Sequence, residues 1–256
     1  MNSNSTDPQF CQFKKILENI WASGCKKISL LDYGAGKGRM ISNLSQDSRI
    51  TPEMLDYVAY DEYDSDKKSC ISHIECFYND AEKRYFNRLD DLRASRDDKS
   101  FDIVLMCNVL HEIPHNNWVE LFKNLSKLLK DDGNLLLIED CRIPVGELPH
   151  QKGFMVFNTI HLKDLFGISS NDCGFAAYDA RPDLDKGRLM AHLIPAKYLG
   201  MVSNESKKKA IKDLCETSKK EIIRIRGLEP SYKNGMSHAF WTQQLANATL
   251  CLTELE

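Results

Sequence analysis

Apolar residues along this chain switch between two spacings, and the switching outlines a fold. Phe10, Phe13, Ile16, Leu17, Ile20 and Trp21 recur at helical spacing, which predicts an amphipathic helix over 10–21 that ends near Gly24. Residues 27–32 are a short apolar run of the kind a buried strand makes. A glycine-rich turn follows, then a helix over 39–45 and a second strand over 55–60, closed by Asp61. The polar stretch 63–98 holds helical patches and one more strand, for which 75–78 and 84–86 compete. The second placement is preferred, with a short helical turn over 89–92 behind it. Residues 101–107 form a strand. Residues 114–129 form a helix with Trp118, Leu121, Phe122, Leu125, Leu128 and Leu129 on one face, broken by Gly133. Residues 134–139 make another apolar strand, and 153–166 suggest a further helix. Strands over 175–178 and 188–194 are joined through a turn at Asp185-Lys186-Gly187. After Pro195 the strands stop, and 204–225 and 238–252 read as two long helices.

Strands that alternate with helices imply a mainly parallel sheet covered on both faces. The expected class is therefore α/β: a doubly wound, mainly parallel seven-stranded sheet with an antiparallel edge strand, an N-terminal helix and a C-terminal helical appendage. The expected organisation is a disordered lead-in over 1–9, an α/β domain over 10–196 and a helical extension over 197–256.

Composition narrows the function classes. A chain of 256 residues with 42% hydrophobic content can build one large α/β core. A net charge of −3 argues against wholesale nucleic-acid binding and leaves only a local basic face open. No apolar run approaches the ~18 residues of a membrane span, and the polar start is not a secretory signal. Nine cysteines, an odd number without a C-x-x-C pair, read as reduced thiols of a cytoplasmic protein.

The chemistry concentrates in Asp32-Tyr33-Gly34-Ala35-Gly36-Lys37-Gly38, directly after a strand and directly before a helix. Glycines let the backbone come close to a ligand, and Asp32 can hold an ammonium group. Asp61, at the end of the second strand, stands where an acid grips ribose hydroxyls, with Glu62 beside it as a substitute. A dinucleotide loop would need glycine at position 39, where Arg39 stands.

The order acid-x-G-x-G-x-G resembles the first motif of the class I S-adenosylmethionine-dependent methyltransferases. The resemblance extends over 28–194, through Asp61, the strand that opens Phe101-Asp102-Ile103 and the run from Lys130 through Gly133 to Glu139. It implies S-adenosylmethionine as cofactor, held by Asp32, Gly34, Ala35, Gly36, Gly38 and Asp61. In that family a residue after the third strand lies against the adenine. Asn87 takes that place with the preferred strand, and Asp80 with the other. Asn108, at the end of the fourth strand, faces the same crevice.

His111-Glu112-Ile113-Pro114-His115 follows the fourth strand. It spells the zinc pattern H-E-x-x-H, but that pattern needs a helix, and Pro114 forces the residue before it out of helical geometry. No metal is expected. The segment also resembles the Leu-His-Asp-Trp segment of plant small-molecule O-methyltransferases, which implies His111 as a general base and Glu112 as its neighbouring acid. An imidazole titrates near neutrality and can take the proton of an acceptor hydroxyl. The segments 143–150 and 153–157, with His150 and Met155, would wall an acceptor pocket for a flat or apolar molecule.

The expected activity is methyl transfer to an unidentified acceptor, with a small-molecule hydroxyl ahead of RNA or protein. The lysines at 207–209, 212, 219 and 220 keep an RNA-binding face open. A cofactor-bound scaffold that has lost catalysis is the alternative from another class. Phe240, Trp241, Leu245, Leu250 and Leu252 need a partner surface, either the body of this chain or another copy.

Overall fold

A computed structural model describes residues 7–140, 154–169, 176–180 and 189–255. The lead-in up to residue 6, the segment 143–150, His150 and the turn at 185–187 lie outside the described residues.

Helix α1 spans Pro8–Ala22. It starts earlier than the apolar pattern indicates, because Asp7 accepts from the amides of Gln9 and Phe10 and Pro8 sits where a missing N–H costs nothing. Residues 7–9 therefore belong to the fold and not to a disordered lead-in. Strand β1 (Ile28–Tyr33) leads into α2 (Arg39–Ser45), and β2 (Leu55–Tyr60) leads into α3 (Lys67–Glu75). The third strand, β3, is Tyr85–Phe86, inside the preferred placement, while Glu75 ends α3. Helix α4 (Leu89–Ser95) extends the short turn foreseen there.

Strand β4 is Phe101–Cys107, α5 is Trp118–Leu128 and β5 is Leu129–Asp140. Pro114 holds ψ at 133°, so the helix expected from 114 begins only at Trp118, after a 3₁₀ turn over His115–Asn117. Gly133 does not break α5. The helix passes into β5 at Leu129, and Gly133 sits in an irregularity between the pairs Phe101↔Leu129 and Ile103↔Asn134. A Cβ there would meet the carbonyl oxygens of Lys130 and Phe101 at 3.0 Å, so glycine serves the β4–β5 crossing and not a helix end.

Helix α6 is Thr159–Phe166, shorter than the expected 153–166 because Asn158 and His161 form a capping box that fixes its start. Strands β6 (Ala176–Ala180) and β7 (Leu189–Pro195) follow, then the short α7 (Ala196–Leu199), α8 (Asn204–Arg226) and α9 (Tyr232–Glu254).

The seven strands are ordered β3-β2-β1-β4-β5-β7-β6. β7 runs antiparallel to both neighbours, inserted between β5 and the outermost strand β6. The other pairings are parallel. Alternate residues of the central strands serve opposite faces. Leu31, Val58, Val104 and Leu135 join one core with α5, α6, α8 and α9. Leu30, Tyr57, Ile103 and Leu136 join the other with α1, α2 and α3. The C-terminal helices thus cover the body of this chain, with Ala210, Ile211, Leu214, Ala248 and Cys251 in its core. Among the described residues, no helix is long and apolar enough to cross a membrane.

The sheet order reverses between β1 and β4. The chain leaves β1 toward β2 on one side and returns to β4 on the other. A crevice opens there at the carboxyl ends of the strands, where open α/β sheets place their ligands.

Candidate functional site

The glycine loop crosses the carboxyl end of β1. Its backbone is anchored to the neighbouring strand, with the amides of Gly34 and Ala35 donating to the carbonyl of Tyr60 at 2.8 and 3.1 Å. Gly34, Gly36 and Gly38 have left-handed φ values of 80°, 50° and 78°. At Gly34 a Cβ would lie 2.5 Å from Val109, so the loop closes directly on the segment after β4. At Gly36 a Cβ would meet no described atom within 4 Å. The loop is therefore tight against the protein at one glycine and open to a ligand at the next. Gly38 stands at the N-terminus of α2.

Two acids flank this loop as expected. Asp32 is 2% exposed, and its Oδ2 accepts from the Tyr57 hydroxyl at 2.7 Å. Burial raises the Asp32 carboxyl to about 6, and the Tyr57 hydrogen bond offsets part of that rise. Asp61 bridges loop and strand. Its Oδ2 accepts from the Gly36 amide at 2.7 Å and its Oδ1 from the Tyr63 amide at 2.9 Å. Glu62 is exposed and stands outside this bridge. Asn87 follows β3 as expected, and its amide donates to Asp64 at 2.9 Å. Asp80 instead precedes β3 and is bound by Arg84 at 2.6 Å, which removes it from the adenine position.

At the end of β4 the chain turns sharply. Asn108 has φ of 56°, a left-handed conformation that asparagine tolerates, and its amide still bonds Ile138 of β5. The turn sends Leu110–Glu112 into a 3₁₀ segment lying over the end of β5. Glu139, 5% exposed, receives it there. Glu139 Oε1 accepts from the amides of Val109 and Leu110 at 3.2 and 2.9 Å. Its Oε2 is hydrogen-bonded to Nδ1 of His111. The second acid on the imidazole is therefore Glu139 and not Glu112, whose carboxylate is 4.0 Å from Nε2 and 68% exposed. A 3₁₀ turn advances each side chain by a third of a circle, so sequence neighbours diverge. The ring of Phe154 lies against His111 with centroids 4.5 Å apart.

His115 Nε2 meets Glu254 of α9 at 3.0 Å, whereas His111 Nδ1 is bonded to Glu139 of β5. The two histidines share no ligand position, and no metal-binding cluster occurs among the described residues. Cys107 is pushed up by burial, as befits a strand cysteine. Lys207 is buried, while Lys209, Lys219 and Arg224 pair with Asp164, Glu216 and Glu221. These three charges of α8 are paired on the protein itself.

Glu139 carried no assigned role in the sequence, whereas Phe154 lies in the segment 153–157 expected to wall an acceptor pocket. Glu139 was signalled by the same feature that marks Asp61, an acid closing an apolar strand at its carboxyl end. For Phe154 the sequence signalled the segment and not its contact with His111.

Three comparisons bear on this site. A family model described as "Methyltransferase domain" matches residues 7–166. No curated protein matches the chain. Among solved structures, the chain is similar to a SAM-dependent methyltransferase from Aquifex aeolicus, at 16% identity over 73% of this chain and 89% of that one, with a TM-score of 0.47. It is similar to a TehB-like SAM-dependent methyltransferase from Corynebacterium glutamicum, at 16% identity over 75% and 90%, with a TM-score of 0.43. It is also similar to the B. subtilis M1A22 tRNA methyltransferase TrmK, at 10% identity over 92% and 97%, with a TM-score of 0.43. The family match spans more than half of the chain and includes the glycine loop, Asp61 and the turn after β4. This chain belongs to the methyltransferase-domain family and is an S-adenosylmethionine-dependent methyltransferase.

Proposed function

We propose that the enzyme methylates a hydroxyl group of a small molecule, with His111 as the general base and Glu139 as the acid that orients it. The pairing of His111 Nδ1 with buried Glu139, at the cofactor end of the sheet, carries this reading. With Nδ1–H donated to Glu139, the imidazole presents its lone pair at Nε2, the nitrogen that can take a proton. Glu139 also stabilises the imidazolium that forms, as a buried carboxylate does in a histidine–acid pair. An alcohol or phenol attacks poorly until its proton leaves, so a poised base lowers the barrier.

The cofactor supplies an electrophilic methyl group on its sulfonium. The left-handed glycines, with open space beside Gly36, fit a ligand laid against the loop backbone. Asp32 would pair with the ammonium, and Asp61 would accept from ribose hydroxyls with the lone pairs that Gly36 and Tyr63 leave over. Asn87 would border the adenine, and Asn108 the methionine carboxylate or the acceptor. Holding both reactants in line removes most of the entropic barrier to displacement.

The acceptor class is tested by labelling. S-adenosylmethionine with a radioactive methyl is incubated with the enzyme and a cell extract, then separated into RNA, protein and small molecules, with Asp61→Ala as blank. Label in the small-molecule fraction is expected. Label confined to RNA or protein refutes the acceptor proposed here. Once an acceptor is in hand, Glu139→Gln should lower turnover by roughly 10- to 1,000-fold, and its loss should shrink at high pH as the acceptor ionises unaided.

A further inference from the structure

The two C-terminal helices touch both flanks of His111. On one flank, residues 154–158 have no regular secondary structure, so their backbone groups must find partners elsewhere. They find them on α9. The Gln244 carboxamide accepts from the Val156 amide at 2.8 Å and donates to the Phe154 carbonyl at 3.2 Å. Asn247 donates to the same carbonyl at 2.9 Å and accepts from Gln243 at 3.0 Å. Gln244 and Asn247 are 0% and 1% exposed and lie three residues apart, on one face of the helix. Phe154, whose carbonyl accepts two of these bonds, places its ring on the imidazole of His111.

On the other flank, the segment carrying His111 runs into His115. Glu254 of α9 meets the His115 ring, and Lys207 of α8, 2% exposed, donates to the His115 carbonyl at 3.1 Å. Burying two carboxamides and an ammonium is costly unless each is used, and here each is spent on a segment that borders His111.

We infer that Gln244 and Asn247 are positioning residues of the catalytic site, fixing Phe154 against the His111 imidazole from the helix α9. Lys207 and Glu254 brace the same imidazole from the far side through His115. The extension is then part of the site's construction, and the acceptor is expected to meet a wall that α9 sets in place. The functional consequence rests on His111 being the base, whereas the geometry does not.

The test is magnetic resonance of protein with carbon-13-labelled histidine, in which the His111 signal is the one missing from His111→Ala. Among the described residues, the carboxylates that face this ring include Glu139 on β5 and Glu112 on its own turn. Phe154→Leu keeps the backbone bonds and removes the aromatic ring, so it shows how far the signal moves when the ring contact is lost. Gln244→Ala combined with Asn247→Ala should displace the His111 signal in the same sense and shift its titration midpoint. Its affinity for S-adenosylhomocysteine should match that of the unaltered protein. An unmoved signal and midpoint in the folded double variant would overturn the inference. If the double variant does not fold, Asn247→Ala alone, which leaves the Phe154 carbonyl its bond from Gln244, decides by the same two readings. Full methyl transfer by His111→Ala would remove the base while leaving the displaced signal intact, so the two failures are distinguishable.

Discussion

Asp32 carries the sharpest conflict of any single residue here. It lies buried beneath the glycine loop, bonded by Tyr57, and burial holds its carboxyl at about 6 rather than 3.8. A proton held more tightly in the fold than in the unfolded chain gives stability at low pH that is lost as pH rises through about 4 to 6. In the proposed pairing, a cofactor ammonium would offset that loss, because it would favour the ionised form. Affinity for S-adenosylhomocysteine should therefore be flat above about pH 6 and fall about tenfold for each unit below it. Asp32→Asn should bind weakly with no such slope, as read by titration calorimetry across pH. An unchanged slope in that variant would show that another group titrates. The loop glycines separate two roles in the same way. Gly38→Ala puts a Cβ 3.0 Å from the Cys70 backbone at φ 78°, and should cost more than about 1 kcal/mol of stability. Gly36→Ala carries the same left-handed backbone strain without the clash, so it should cost less stability than Gly38→Ala while weakening cofactor binding. Equal melting temperatures for the two variants would contradict this division.

Elements were legible where their spacing was self-contained. β2, β4 and α2 lie where the apolar pattern puts them, because a strand buried on both faces or a helix between turns needs no distant partner. The motif around Asp32 and the acid at Asp61 were legible for the same reason, since the loop geometry is local. The starts of α1, α5 and α6 were moved by local caps and by Pro114, and other features that the pattern missed are set by tertiary contact. Gly133 reads as a helix end, yet its backbone is pressed on Phe101 and Asp102 by the β4–β5 crossing. The resemblance implies Glu112 as the neighbouring acid of His111, and the acid hydrogen-bonded to the imidazole, Glu139, arrives from the next strand. The segment before α6 reads as helix, yet α9 draws its backbone bonds away.

At the scale of the whole molecule, the sheet and the C-terminal helices share one core. Phe122 and Phe166 meet at 4.8 Å, and the same cluster contains Leu214 and Cys251. The N-terminal half of the chain supplies the glycine loop proposed to hold the cofactor, and the last helix bonds Phe154, Val156 and His115. Calorimetry should accordingly show a single unfolding transition, raised by S-adenosylhomocysteine through its preference for the folded state. Two transitions, with only one responding to the ligand, would mean that the extension folds apart from the site.

The account centres on a base held by a buried acid beside the cofactor loop. Its most direct measurement is the rate of methyl transfer to an identified hydroxyl acceptor by His111→Ala, with S-adenosylhomocysteine affinity measured on the same preparation. The expected result is a loss of about 10²- to 10⁴-fold in turnover with affinity unchanged. Turnover equal to that of the unaltered enzyme at the same affinity would contradict the account and leave His111 a residue that only shapes the crevice.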